Sequence, residues 1–270
     1  MGKLSFKDKI VVVTGAASGI GAAICQRFGG AGSKIGLLDM DEAGVKAAAD
    51  VLRDAGIDAV GVRCDVVDEA QCTSAIDKII ELYGGIDILV NNAGITQRSA
   101  FVNTKTSVYR KVMAVNFFGS LFCTKAAIDS LIARKGIIIV IESLAGVSPL
   151  LGRTGYCASK HALHGFFTSL RSELRDTGVH IMLACPGFVK TNLQTRALGG
   201  DGRITAHPQS MVGKPISAQN VAEDIYNGAL NKRRLLILTP VGKLAYWVNK
   251  LAPMLYERLM ARQVRGELDR

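Results

Sequence analysis

Short apolar, β-branched runs alternate with longer stretches of helical periodicity over most of the chain. Ile10–Thr14, Lys34–Leu38, Ala59–Arg63, Ile86–Val90, Gly136–Ile141, Val179–Cys185 and Leu235–Leu238 read as strands. Their nearly unbroken apolar character is that of strands covered on both faces. Between them, a stretch ending near Gly29, Glu42–Ala55, Glu69–Tyr83, the region from Ser107 to Arg134, a helix carrying Tyr156 and continuing to Asp176, and Ala218–Leu230 read as helices. Regular βα alternation predicts an α/β fold, a doubly wound parallel sheet of seven strands with helices on both faces. Residues 1–240 form one domain in this reading.

Two stretches break the alternation. Residues 192–216 are polar and glycine-containing, with Gly199-Gly200-Asp201-Gly202, His207-Pro208 and Gly213 among them, and no strong period. A segment of that length in a compact domain reads as an active-site lid. Residues 241–270 read as a C-terminal amphipathic helical extension. Val241, Leu244, Val248, Leu251, Leu255 and Leu259 recur at three- and four-residue steps with Trp247 beside them, accompanied by Lys243, Lys250, Arg258, Arg262 and Arg265. Pro253 divides the extension into two short helices. The favoured expectation is that it packs on the body or on another subunit; the alternative is an anionic membrane surface.

Composition narrows the class. A chain of 270 residues, 49% hydrophobic, buries a sizeable core. The six cysteines form no Cys-x-x-Cys and no zinc spacing, so no metal is expected, and they read as small buried residues of a reduced, cytoplasmic setting. No apolar run of 18 residues suggests a transmembrane segment, no apolar leader opens the chain, and Phe6 stands where a myristoylation motif asks for Ser or Thr. Of the net charge of +10, residues 232–270 carry +6, from 9 Lys and Arg against 3 Asp and Glu. No finger, helix-turn-helix or aromatic interleaving accompanies that charge, which argues against a nucleic-acid partner.

The candidate chemistry lies at the ends of the strands. Gly15, Ser18, Gly19, Ile20 and Gly21 join the first strand to a helix, where glycines allow a tight turn and helix N–H groups face a pyrophosphate. With this turn the fold reads as Rossmann-type. Asp39 closes the second strand 18 residues after Gly21, at the spacing of a ribose-binding acid, although an acid there also starts a helix well. Asn91 and Asn92 follow the fourth strand, before Ala93 and Gly94, as ligand groups or as a turn. Asn116 interrupts the long helical region, which implies a local role or a kink. Ser143 follows the fifth strand at the edge where open α/β sheets bind ligands. Tyr156 and Lys160, one turn apart, share a helix face, and an ammonium near a phenol lowers its pKa toward neutral proton transfer. Alone, this pair also fits a half-buried ring beside a solvated amine.

Taken in order, Thr14-Gly15-x-x-x-Gly19-x-Gly21, Asn91-Asn92-Ala93-Gly94, Asn116, Ser143, Tyr156-x-x-x-Lys160 and Pro186-Gly187 resemble the short-chain dehydrogenase/reductase family over about residues 6–240. The resemblance implies that Tyr156 is the general acid/base and that Lys160 lowers its pKa and holds the nicotinamide ribose. Ser143 would bond the reacting carbonyl, and Asn116 would position a water in a proton relay. It implies adenine contacts at Asp65 and Val66, cofactor contacts at Asn92, Ala93, Gly94, Pro186 and Gly187, and carboxamide contacts at Val189 and Thr191. A homodimer or homotetramer is a further expectation. One departure is Glu142 before Ser143, where relatives carry a small or hydroxyl residue; a carboxylate there would raise nearby pKa values or pair with a loop.

The expected function is hydride transfer between NAD(H), in preference to NADP(H), and a secondary alcohol or ketone on an apolar substrate of steroid, retinoid or acyl type. Alternatives are a catalytically silent nucleotide-binding regulator and an NADPH-dependent 3-oxoacyl reductase. No Gly-x-x-x-x-Gly-Lys-Ser/Thr loop and no Gly-x-Ser-x-Gly elbow is present, which excludes the phosphate-loop and serine-hydrolase classes in those forms.

Overall fold

The computed structural model describes residues 5–205 and 214–267. His207, Pro208 and Gly213 of the expected lid lie outside the described residues. Seven parallel strands, β1 (Ile10–Thr14), β2 (Lys34–Asp39), β3 (Ala59–Arg63), β4 (Ile88–Asn91), β5 (Ile137–Ile141), β6 (His180–Cys185) and β7 (Leu235–Ile237), pair in the order β3-β2-β1-β4-β5-β6-β7. The order reverses between β1 and β4, which opens a crevice at their carboxyl ends.

Alternation along each strand divides the core. Val11, Val13, Ile35, Leu37, Ile88, Val90, Ile139 and Met182 face one layer, built with α1 (Gly19–Gly29), α2 (Glu42–Asp54) and α7 (Ala218–Leu230). Ile10, Val12, Leu38, Leu89, Ile138, Val140, Ile181 and Leu183 face the other, built with α3 (Glu69–Tyr83), α5 (Gly119–Ala133) and α6 (Thr154–Glu173). The sheet is thus covered on both faces, and its apolar runs carry no polar face toward solvent.

Most boundaries shift by a residue or a few from the hydrophobic pattern, and two shifts have a clear local cause. The fourth strand begins at Ile88 rather than Ile86 because Asp87 is occupied before it: its carboxylate accepts from Ile10 N and Lys9 Nζ, both at 3.0 Å. The expected helix from Ser107 to Arg134 is α4 (Thr106–Met113), a wider π turn over Ala114–Phe118, and α5. Asn116 sits in that π turn, a feature common at functional sites. By length and composition Thr106–Ala133 could cross a membrane, but α5 packs on α3, β4 and β5, with Cys123, Ala127 and Leu131 fully buried.

The extension forms the two helices that Pro253 implies, α8 (Pro240–Leu251) and α9 (Pro253–Val264). It packs on the body, but not through the expected stripe. Asn249 Nδ2 donates to Val147 O (3.1 Å), Tyr256 donates to Ser148 Oγ (3.3 Å) and Pro149 O (3.2 Å), and Leu151 N donates to Met260 Sδ (3.3 Å). Val241, Leu244, Trp247, Leu251, Leu255 and Leu259 are exposed instead. Polar contacts with the segment after Ser143 decide the orientation of the tail, and its most apolar face is left outward.

Candidate active site

The crevice between β1 and β4 is built largely by backbone and short side chains. Thr14 Oγ1 accepts from Asn92 N and Ala93 N, both at 3.0 Å, and Asn92 Nδ2 donates to Thr14 O (2.8 Å) and Gly15 O (3.0 Å). This cross-tie satisfies the Asn92 amide. Asn91 turns to the core, where its Nδ2 donates to Thr124 Oγ1 at 2.8 Å. Gly15 has φ +65°, and a Cβ there would stand 2.9 Å from Ala93 Cα. A Cβ at Gly21 would collide with Gly15 O. No side chain but hydrogen therefore fits this turn at either position.

The loop fits a dinucleotide. Ser18 occupies the N-cap of α1 without a side-chain cap bond, and the first turn holds no acid, so the helix N-terminus remains open to a phosphate. Ile20 lies in that turn. The Asp39 carboxylate accepts from Ala17 N and Asp41 N, both at 3.0 Å, which holds it against the glycine loop. Arg63, paired with Asp39 across the sheet, donates to Gln71 Oε1 at 3.3 Å. Asp65 Oδ1 accepts from Val67 N (3.2 Å), and Val66 packs against Gly119. Thr191 lies above Gly19, where an added Cβ would meet its Cγ2 at 3.4 Å. Val189 is buried and bridges Ile216, while Pro186 O accepts from Leu144 N at 3.2 Å and Gly187 faces Leu144 and Thr239.

The other half of the crevice brings Asn116, Ser143, Tyr156 and Lys160 together. Asn116 Oδ1 accepts from Ile95 N (2.8 Å), and its Nδ2 donates to Ile95 O (3.0 Å) and Ser159 Oγ (2.8 Å). Its amide thereby ties the strand-end loop to α6. A Cβ on Gly94 would stand 3.2 Å from Asn116 Oδ1 and 3.7 Å from Lys160 Nζ, so the loop passes close over both. The Ser143 hydroxyl, which accepts from Ala145 N at 3.1 Å, lies close enough to the Tyr156 phenol to lower its pKa. Lys160 Nζ donates to Ile141 O at 2.8 Å and lies 5.7 Å from the Tyr156 ring centre.

The expected depression of the tyrosine pKa is not found. Burial pushes Tyr156 up to about 12, against a smaller lowering by the Ser143 hydrogen bond. Burial likewise brings Lys160 down to about 8, against the raising effect of the Glu142 charge. Desolvation disfavours both charged forms and is the largest cause of each shift. Glu142 raises nearby pKa values, those of Tyr156, Lys160 and Cys185, as one branch of the expectation has it, and its partner is His164 of α6 rather than a loop. Two contributors were not singled out from sequence. Gln97 is fully buried and its Oε1 accepts from Tyr156 N at 3.0 Å, and Ser159 holds Asn116. A buried glutamine leaves no mark in an unperiodic loop, whereas Ser159, next to Lys160, was within reach of a helical-face argument.

Among the described residues no cluster of His, Cys, Asp and Glu could hold a metal. A glycine turn at the topological reversal, with a hydroxyl pair and a lysine across the crevice, defines a dinucleotide-dependent dehydrogenase. The family described as short chain dehydrogenase matches residues 9–199, and this chain belongs to it. With that family it is a nicotinamide-dependent oxidoreductase acting on CH–OH groups. The chain is 34% identical over 276 residues to dehydrogenase/reductase SDR family member 7B of Rattus norvegicus, covering 98% of this chain and 84% of that one. It is 32% identical over 262 residues to dehydrogenase/reductase SDR family protein 7-like of Anopheles gambiae, covering 94% and 83%. Its fold superposes on a short chain dehydrogenase/reductase from Burkholderia phymatum in complex with NAD, with a TM-score of 0.83 and 26% identity, covering 93% of this chain and 96% of that one.

Proposed function

We propose that the protein interconverts a secondary alcohol and ketone on an apolar substrate, using NAD(H), with Tyr156 as the general acid/base. The observation that carries this reading is the convergence at the carboxyl edge of β5 of Ser143, Tyr156 and, one helical turn further on, Lys160, whose Nζ donates to Ile141 O and lies 5.7 Å from the Tyr156 ring centre. In the oxidative direction the substrate O–H proton passes to the Tyr156 oxygen as the carbinol C–H leaves as hydride. The nicotinamide ring supplies the hydride acceptor. Ser143 donates to the substrate oxygen, Lys160 holds the nicotinamide ribose and favours the phenolate, and Asn116 holds the loop and the relay water. Gly15, Ser18, Gly19, Ile20 and Gly21 cradle the pyrophosphate, while Asp39, Asp65, Val66, Asn92, Ala93 and Gly94 take the adenosine side. Pro186, Gly187, Val189 and Thr191 take the carboxamide.

NAD(H) is preferred over NADP(H) in this reading because a 2′-phosphate would stand against the Asp39 carboxylate. Met40, Asp41 and Ser18 offer no cation there, and Arg63 is turned to Gln71. The Burkholderia relative solved with NAD supports the same choice. An apolar substrate is favoured by Leu144, Val147, Pro149, Leu150 and Leu151 after Ser143, a segment covered by α8 and α9.

Two partner readings follow. The outward face of the tail, with Trp247 and five exposed leucine and valine residues flanked by Lys243, Lys250, Arg258 and Arg262, lies on an anionic lipid surface. The tail's net positive charge favours that partner and disfavours the same face of a second copy. Phe117 and Phe118 of the π turn, Phe122 of α5 and Phe166 of α6 form a half-exposed aromatic patch that suits a homodimer across that face instead. Six free thiols fit a reducing, cytoplasmic setting.

The test is NADH formation against a panel of secondary alcohols, including hydroxysteroids and 3-hydroxyacyl thioesters. Tyr156→Phe is expected to lower turnover by roughly 100-fold or more with cofactor affinity nearly unchanged. Full turnover in that variant refutes the assignment. NADH binding without turnover of any alcohol or ketone favours the silent regulator, and a preference for NADPH with 3-oxoacyl thioesters favours the reductase.

A further inference from the structure

Tyr156, Lys160 and His164 are spaced by four residues and form one line along a face of α6. The chain after β5 meets that line twice. Ser143 approaches Tyr156 at one end, and Glu142 is hydrogen-bonded to His164 at the other, with Lys160 between them. The Glu142 side chain is fully buried, and His164 Nδ1 lies 3.2 and 3.3 Å from its two oxygens. Cys185 Sγ donates to Oε2 at 3.6 Å from β6. Gly146 leaves the room: a Cβ there would collide with Oε1. A carboxylate withdrawn entirely from water, beside an imidazole that stays 35% exposed, is costly to keep unless its charge is used or matched.

We propose that Glu142 and His164 are positioning residues for the catalytic lysine, the buried carboxylate sustaining the Lys160 ammonium and the half-exposed imidazole adjusting that support with pH. The inference rests on the role given above to Lys160. The groups facing Lys160 are Glu142, Cys185 and the Tyr156 ring; those facing His164 are Glu142 and, further along α6, Arg171. The charges act in the required direction. Burial lowers the Lys160 pKa and Glu142 raises it, while the Glu142 hydrogen bond raises that of His164. While His164 is protonated it offsets the carboxylate. Once pH rises through the His164 pKa, the whole negative charge acts on Lys160, in the range where alcohol oxidation needs the ammonium. The pair therefore extends the charged state of Lys160 to higher pH.

The test is direct titration of Lys160 in the full-length protein with lysine ¹³C-labelled at Cε, the signal being assigned by its loss in Lys160→Met. Glu142→Gln removes the charge and keeps the shape, and is expected to lower the Lys160 pKa by about one unit or more. Glu142→Asp keeps the charge and is expected to remain near the unmodified protein. A Lys160 titration that is the same in the Gln variant, or displaced equally by Gln and Asp, overturns the proposal, since packing alone accounts for it. His164→Gln supplies an independent arm. The unmodified protein is expected to show a minor inflection of the Lys160 signal at the His164 pKa, and its persistence in this variant also overturns the proposal. NADH affinity, measured by calorimetry against pH, is expected to begin its alkaline fall about one unit lower in Glu142→Gln. Absence of NADH binding at every pH counts against the dehydrogenase reading, whereas the Lys160 titration still decides the role of Glu142.

Discussion

The two sides of the crevice are built in opposite ways. On the nucleotide side, short segments at neighbouring strand ends hold one another. Thr14, Gly15, Asn92 and Ala93 are cross-tied within a few residues of β1 and β4, and Asp39 is fixed by two backbone N–H groups. On the substrate side, the segment after Ser143 is held by residues roughly a hundred positions away, from Asn249 to Met260. The first arrangement follows from the parallel sheet itself, because adjacent strands deliver their ends to one place. The second depends on a tail whose docking uses a few polar contacts. The nucleotide side is therefore expected to be unforgiving of small changes, and the substrate side to tolerate change while altering what it admits.

The strongest challenge to this contrast is Gly21→Ala. A Cβ colliding with Gly15 O must displace the turn, and the expected result is a loss of about 1–3 kcal/mol of stability together with NADH affinity reduced by roughly 100-fold. Thermal melting and cofactor titration measure both, and near-normal NADH binding contradicts the rigid nucleotide side. Asp39→Ala is expected to have a smaller effect. It removes the like charge that opposes a 2′-phosphate, and the preference for NADH over NADPH should narrow by about 10-fold, mostly through weaker NADH binding. Calorimetry of both cofactors at one ionic strength reads this, and tighter NADPH binding by the unmodified protein refutes the role of Asp39.

The smallest effect belongs to the tail. Replacing both Leu244 and Leu251, which are 65% and 77% exposed, by Asp is expected to leave folding and NADH affinity unchanged. Co-sedimentation with phosphatidylserine-containing vesicles should fall severalfold in that variant, and in the unmodified protein it should weaken at about 0.5 M salt. Equal sedimentation of the two proteins, or none by either, refutes the lipid surface and returns the exposed face to a protein partner.

Hydrophobic periodicity was enough to define the βα alternation, the seven strands and both faces of the sheet, since each strand's two-sided burial is written in its own residues. Residue type and spacing marked the glycine turn, Asp39, Ser143, Tyr156 and Lys160, because a tight turn and a one-turn helical spacing are local properties. The tertiary structure decided what depends on distant segments meeting. Burial sets the Tyr156 pKa, because desolvation depends on everything packed around the phenol. The apolar stripe of the tail faces outward because contacts to residues 147–151, invisible in the tail's own pattern, choose which face docks. Glu142 stood out in sequence only as a departure; its pairing with His164 arises where the end of β5 meets a helix face, a juxtaposition that no local pattern encodes.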